Sequence, residues 1–136
     1  MTIEVVRDKS QKMKHTVHVR QHSFAIDEPP SNGGEDLGMT PHDVYDSALG
    51  ACKALTTLWY AQRKQIPVED IRVTVERDDS EERRGVYRLR VTLDVTGALT
   101  DAQRQELLTV ADKCPVHKLM TKSTTEVVTE LAPPKG

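Results

Sequence analysis

Gly33-Gly34-Glu35-Asp36-Leu37-Gly38-Met39-Thr40-Pro41 runs directly into His42-Asp43-Val44-Tyr45-Asp46-Ser47-Ala48-Leu49-Gly50-Ala51-Cys52. The first half reads as a loop, because glycine frees the backbone where side chains would restrict it. The second half reads as a helix. Thr40 is a suitable N-cap, and Pro41 fits the first helical position, where no N–H is required. Asp43 and Asp46 fall where the helix dipole favours acids, and Lys53, Arg63 and Lys64 fall late, towards its negative end. Val44, Ala48, Cys52, Leu55 and Trp59 recur at helical spacing, which predicts an apolar stripe carrying Cys52 on the buried face to about Lys64. Pro67 stops the helix.

Working outward, Thr2–Arg7, Met13–Arg20 and the stretch around Phe24 and Ile26 read as strands, with Val17 and Val19 on one face of the second. Asp27-Glu28-Pro29-Pro30 must end the third, because two prolines remove ladder donors. C-terminal to the helix, Ile71, Val73 and Val75 alternate, as do Tyr87, Leu89, Val91, Leu93 and Val95. The charged turn from Arg77 to Gly85 joins them into a β-hairpin. Thr100-Asp101-Ala102-Gln103 is a capping box opening a second helix, with Leu107, Ala111 and Cys114 placed along it. Pro115 breaks that helix and starts a short third one, and Thr124–Leu131 reads as a last strand. The order is β-β-β-α-β-β-α-α-β, an α+β fold of antiparallel sheet packed on helices.

Bulk properties narrow the function. At 136 residues the chain is expected to be one domain, 1–136. A formal charge of −2 with interspersed signs gives no footprint for nucleic acid. No run is apolar enough for a membrane span or a signal peptide, so the cytoplasm is the expected compartment. With 37% hydrophobic content and five aromatic residues, dimerisation would supply extra burial.

The chemistry rests on the only two cysteines, Cys52 and Cys114, which are 62 positions apart and form no Cys-x-x-Cys motif. If Pro115 opens a helix, Cys114 is its N-cap, where free N–H groups and Lys113 and Lys118 favour a thiolate, with His117 in reach. Cys52 has fewer local activators, since Lys53 points off the apolar stripe. It would need Arg20, His42, His117 or another subunit. Three readings stay open: buried small hydrophobes, a redox pair, or a zinc site of Cys52, Cys114 and His117. His15, His18 and His22 read as solvated strand residues, and Glu35 and Asp36 as turn chemistry. Gly33-Gly34 and Gly38 lack the Lys-Ser/Thr of a phosphate loop.

The Gly33–Pro41 stretch, Ala48-Leu49-Gly50-Ala51-Cys52 and Lys113-Cys114-Pro115-Val116-His117-Lys118 together resemble the OsmC/Ohr family of osmotically induced and organic-hydroperoxide-resistance proteins. The similarity includes Tyr60-Ala61-Gln62-Arg63-Lys64 and Gln103-Arg104, and runs from Asp27 to Lys118. It implies an OsmC-like fold, with antiparallel sheets around two long central helices in an intertwined homodimer. It implies a thiol peroxidase: Cys52 attacks an organic hydroperoxide and becomes a sulfenic acid, Cys114 resolves it as a disulfide, and a lipoyl-type or small dithiol reduces that bond. No cofactor or metal is implied. The well-studied peroxidases carry a glutamate ten residues before the first cysteine, paired with an arginine. Here that position is His42, with Asp43 beside it and Arg20 as the candidate arginine. The competing expectation is a non-catalytic dimer that binds a hydrophobic ligand or senses redox state.

Overall fold

The computed structural model describes residues 1–135. In chain order it contains β1 (Ile3–Arg7), β2 (His15–Val19), β3 (His22–Ile26), α1 (Pro41–Lys64), β4 (Asp70–Asp78), β5 (Arg88–Thr96), α2 (Asp101–Ala111) and α3 (Pro115–Thr121), with single 3-10 turns at Pro30–Asn32 and Glu82–Arg84. β1-β2-β3 form one sheet and β4-β5 a second. Contacts divide the chain into two compact units, Met1–Gly50 with Thr74–Thr92, and Ala51–Val73 with the chain from Leu93 onward.

In the first unit the antiparallel register aligns Val5, Val17 and Phe24 across the three strands, and Val17 is the buried member. The alternation read from the sequence therefore holds in β2. The loop after β3 is organised by Asp27. Its buried carboxylate accepts N–H bonds from Glu28 (2.8 Å), Glu35 (3.2 Å) and Leu37 (3.1 Å), and its own N–H donates to Met39 (3.1 Å). Burial pushes this carboxyl up, but the donors from Glu28, Leu37 and Glu35 outweigh it, so Asp27 sits below the ordinary carboxylate range. Gly34 is required here by space: a Cβ would lie 1.9 Å from the Glu28 carbonyl oxygen. The loop delivers the chain to Thr40, whose hydroxyl accepts from Asp43 N (3.1 Å) while Asp43 accepts from Thr40 N (3.0 Å). This reciprocal cap fixes where α1 begins.

In the second unit the core is Ala61, Ile66, Val95 and Leu107, flanked by Tyr60, Val68, Ile71, Leu93 and Leu99. The expected capping box is present: Thr100 Oγ1 accepts from Gln103 N (3.1 Å), and Gln103 Oε1 from Thr100 N (2.9 Å).

Three expectations are corrected. The apolar stripe of α1 is not its buried face: Leu55 is 68% and Trp59 55% exposed, and Ala48 is exposed. The buried line is Asp46, Leu49, Gly50, Lys53, Thr57 and Ala61. Polar residues are tolerated there because partners distant in sequence satisfy Asp46 and Lys53. Second, Cys114 does not lie on α2, which ends at Ala111; it caps α3 instead. Third, Thr124–Leu131 forms no strand and is exposed throughout. Its alternation is that of a strand, but it finds no pairing edge among the described residues.

Candidate active site

The thiol site lies within the second unit. Cys52 projects from α1 and is partly buried, with its sulfur 3.9 Å from Thr56 Oγ1 one turn later. Cys114, at the start of α3, has 0% exposure. Both thiols are free, and Cys52 is close enough to act on Cys114. Burial is the largest influence on Cys114 and pushes its thiol up, and Cys52 adds to this. The His117 N–H and the Lys53 ammonium pull the other way without winning. The helix start thus fails to activate Cys114. Its side chain makes no capping hydrogen bond, and desolvation prevails.

Lys53 is the residue that the sequence reading misplaced. It does leave the Cys52 stripe, but it turns inward and is 4% exposed. Its Nζ donates to Ala111 O (2.9 Å) and to His117 Nδ1 (2.9 Å), and Asp112 Oδ1 lies 3.8 Å away. Ala111 O also accepts the backbone N–H of Cys114 (3.3 Å), so the ammonium and Cys114 share one acceptor. An ammonium can only donate, so His117 Nδ1 is the accepting nitrogen and its proton resides on Nε2. The only sequence signal for this role was a lysine on the Leu49–Lys53–Thr57–Ala61 line, visible once the helix is turned by one position.

Two further features complete this unit. Thr57, also on the buried line, is 0% exposed, and its hydroxyl has no partner among the described residues. A cavity of 540 Å³ is lined by Thr56, Tyr60, Glu106, Thr109, Val110 and Lys113, and so reaches the residue that touches Cys52. Tyr60 O–H donates to Glu106, which fixes one wall. No group of three or more His, Cys, Asp or Glu side chains is arranged to hold a metal ion among the described residues.

The other candidates make their contacts in the first unit. Arg20 is exposed in the tight β2–β3 connection at φ 54°. His42 Nε2 donates to Glu82 Oε2 at 3.0 Å, and that hydrogen bond raises the imidazole's pKa. Beside it Arg77 Nε donates to Asp46 Oδ2 (2.6 Å), its Nη2 to Asp43 Oδ1 (2.8 Å), and Tyr87 O–H to Asp46 Oδ1 (2.7 Å). Burial and then the Asp46 bond push the Tyr87 hydroxyl up to about 12, so it stays a donor. The Asp46 and Asp43 bonds hold Arg77 even more firmly charged. The charge and its partners come from positions 31 to 41 apart, which is why no local pattern revealed them. An apolar cavity of 380 Å³ lined by Pro41, His42, Tyr45, Glu82 and Tyr87 adjoins this network.

Residues 33–130 match the family model described as OsmC-like protein. No curated protein matches. Among solved structures, an OsmC-like protein from Mycoplasma pneumoniae is 20% identical, with 89% of this chain and 86% of that one aligned at a TM-score of 0.71. The organic hydroperoxide resistance protein OhrB of Bacillus subtilis is 23% identical, with 90% and 92% aligned at 0.60. An organic hydroperoxide resistance protein OsmC from Legionella pneumophila, also described as a redox protein, is 20% identical, with 89% and 88% aligned at 0.64. These likenesses establish the fold.

Proposed function

The chain belongs to the OsmC-like protein family, and from that premise we propose that it is a thiol peroxidase that reduces organic hydroperoxides. The observation that supports the reading is that two free thiols from stretches far apart in sequence, one partly buried and one fully buried, come close enough for Cys52 to act on Cys114. The names of two structural neighbours, both organic hydroperoxide resistance proteins, point the same way.

The Cys52 thiolate attacks the distal oxygen of ROOH. The O–O bond breaks, the leaving alkoxide takes a proton to give ROH, and Cys52 becomes a sulfenic acid. Cys114 then attacks the Cys52 sulfur, water leaves, and a Cys52–Cys114 disulfide forms. An external dithiol reduces it by exchange, becoming a disulfide itself and returning two thiols. The partly buried Cys52 makes first contact, by way of the cavity at Thr56, and the enclosed Cys114 reacts only with what Cys52 has become. His117 supports the site through its bond to Lys53. Arg20 and His42 are further supporting candidates, and slower peroxide attack in R20A or H42A would assign them.

The active form is a homodimer of a single OsmC-like domain. Exposed Leu55 and Trp59 on α1 and the unpaired Thr124–Leu131 are surfaces that a second copy would cover. A second reading, a non-catalytic protein that binds a hydrophobic ligand, draws on the apolar cavity at Tyr45 and Tyr87. Turnover separates the two. The peroxidase consumes cumene hydroperoxide with dihydrolipoamide as reductant and loses this in C52S; unchanged consumption in C52S refutes it.

A further inference from the structure

Lys53 poses an energetic problem. A buried ammonium is costly unless a buried anion faces it. Its two hydrogen-bond acceptors, Ala111 O and His117 Nδ1, are neutral. The one carboxylate in range among the described residues, Asp112, stands 3.8 Å away with 70% of its side chain exposed, where solvent screens it. Among the described residues, the titratable groups placed by Nζ are His117 from α3 and Asp112 from the α2–α3 connection, with Cys114 sharing its Ala111 acceptor and Cys52 the residue before it on α1. Of these, only the thiols can become a buried anion.

We infer that Lys53 is the counter-ion of the thiolate formed by the Cys52–Cys114 pair, held in place by Ala111 O and His117. This rests on the peroxidase reading for its purpose, but not for its geometry. Cys52 and the Lys53 ammonium both act on Cys114, the first holding its proton on and the second favouring its release. Lys53, which shares the Ala111 O acceptor with Cys114, stabilises the thiolate that the pair forms. Burial holds the proton on Cys114, and the charge that meets peroxide belongs, under the peroxidase reading, to the partly buried Cys52. His117 positions the ammonium through its accepting Nδ1.

The test is the pH dependence of alkylation of the reduced protein by iodoacetamide, with thiolate absorbance near 240 nm as a second readout. In K53M the midpoint should rise by about one pH unit or more, and alkylation at neutral pH should slow roughly tenfold. In K53A, added methylammonium should restore part of the lost reactivity, which a merely structural lysine would not allow. If K53M melts early, the K53A rescue still decides. An unmoved midpoint in folded K53M, or no rescue of K53A, overturns the assignment. If that occurs while wild-type turnover of cumene hydroperoxide persists, only the role of Lys53 falls. If the midpoint shifts but wild-type protein consumes no hydroperoxide, the peroxidase reading falls and the counter-ion stands.

Discussion

Replacing Thr57 by valine should stabilise the protein. The Thr57 side chain has 0% exposure and its hydroxyl meets no partner among the described residues. An unpaired hydroxyl in the interior costs about 1–3 kcal/mol by protein mutational scales. Valine keeps the shape and the β-branching, so helix propensity and packing change little. The net gain should be about 1–2 kcal/mol. With an unfolding entropy of roughly 2.1 cal/mol/K per residue, that raises the melting temperature by roughly 3–7 °C. T57S provides the control: it keeps the orphan hydroxyl and loses a methyl, so it should cost about 1 kcal/mol. The assay is thermal and urea unfolding of reduced protein, at one fixed protein concentration so that any oligomer contributes equally. A T57V protein no more stable than wild type would refute the reasoning, because it would mean that the hydroxyl is satisfied.

Two further outcomes follow from the first unit. D46N should destabilise by about 2–4 kcal/mol in urea unfolding, since it loses one charge-assisted bond from Arg77 or Tyr87 and weakens the other; a loss under about 0.5 kcal/mol would show the network to be idle. The His42 imidazole, raised by Glu82, should titrate above its ordinary value by NMR and return toward it in E82Q. Because its folded pKa is raised, the small stability it adds is complete below the unfolded value and fades as pH rises through the folded one. An identical His42 titration in both proteins would refute that coupling.

Much of the fold was legible because the signals were local. The cap at Thr40 and Pro41, the stop before Pro67, the Thr100–Gln103 capping box and the alternation of β2, β4 and β5 all lie within a few residues of what they determine. The register of α1 was not legible. Counting apolar residues chose Leu55 and Trp59 for the interior, whereas the interior holds Asp46, Lys53 and Thr57. Asp46 and Lys53 are made tolerable by Arg77, Tyr87, Ala111 and His117, which no window of sequence brings together. Thr124–Leu131 failed for the complementary reason: alternation describes a strand, but only a neighbour makes one. At the site, the two cysteines were plain from composition, and Cys114 as a helix cap was plain from Pro115. That burial would override the cap, and that Lys53 would turn inward, depended on packing.

The most direct test of the thiol chemistry is mass spectrometry with peptide mapping of reduced protein treated with one equivalent of cumene hydroperoxide. The mechanism requires loss of both free thiols, a chain about 2 Da lighter and a Cys52–Cys114 cross-link, with C114S trapping instead a sulfenic acid on Cys52. Two free thiols and an unchanged mass after peroxide would contradict it.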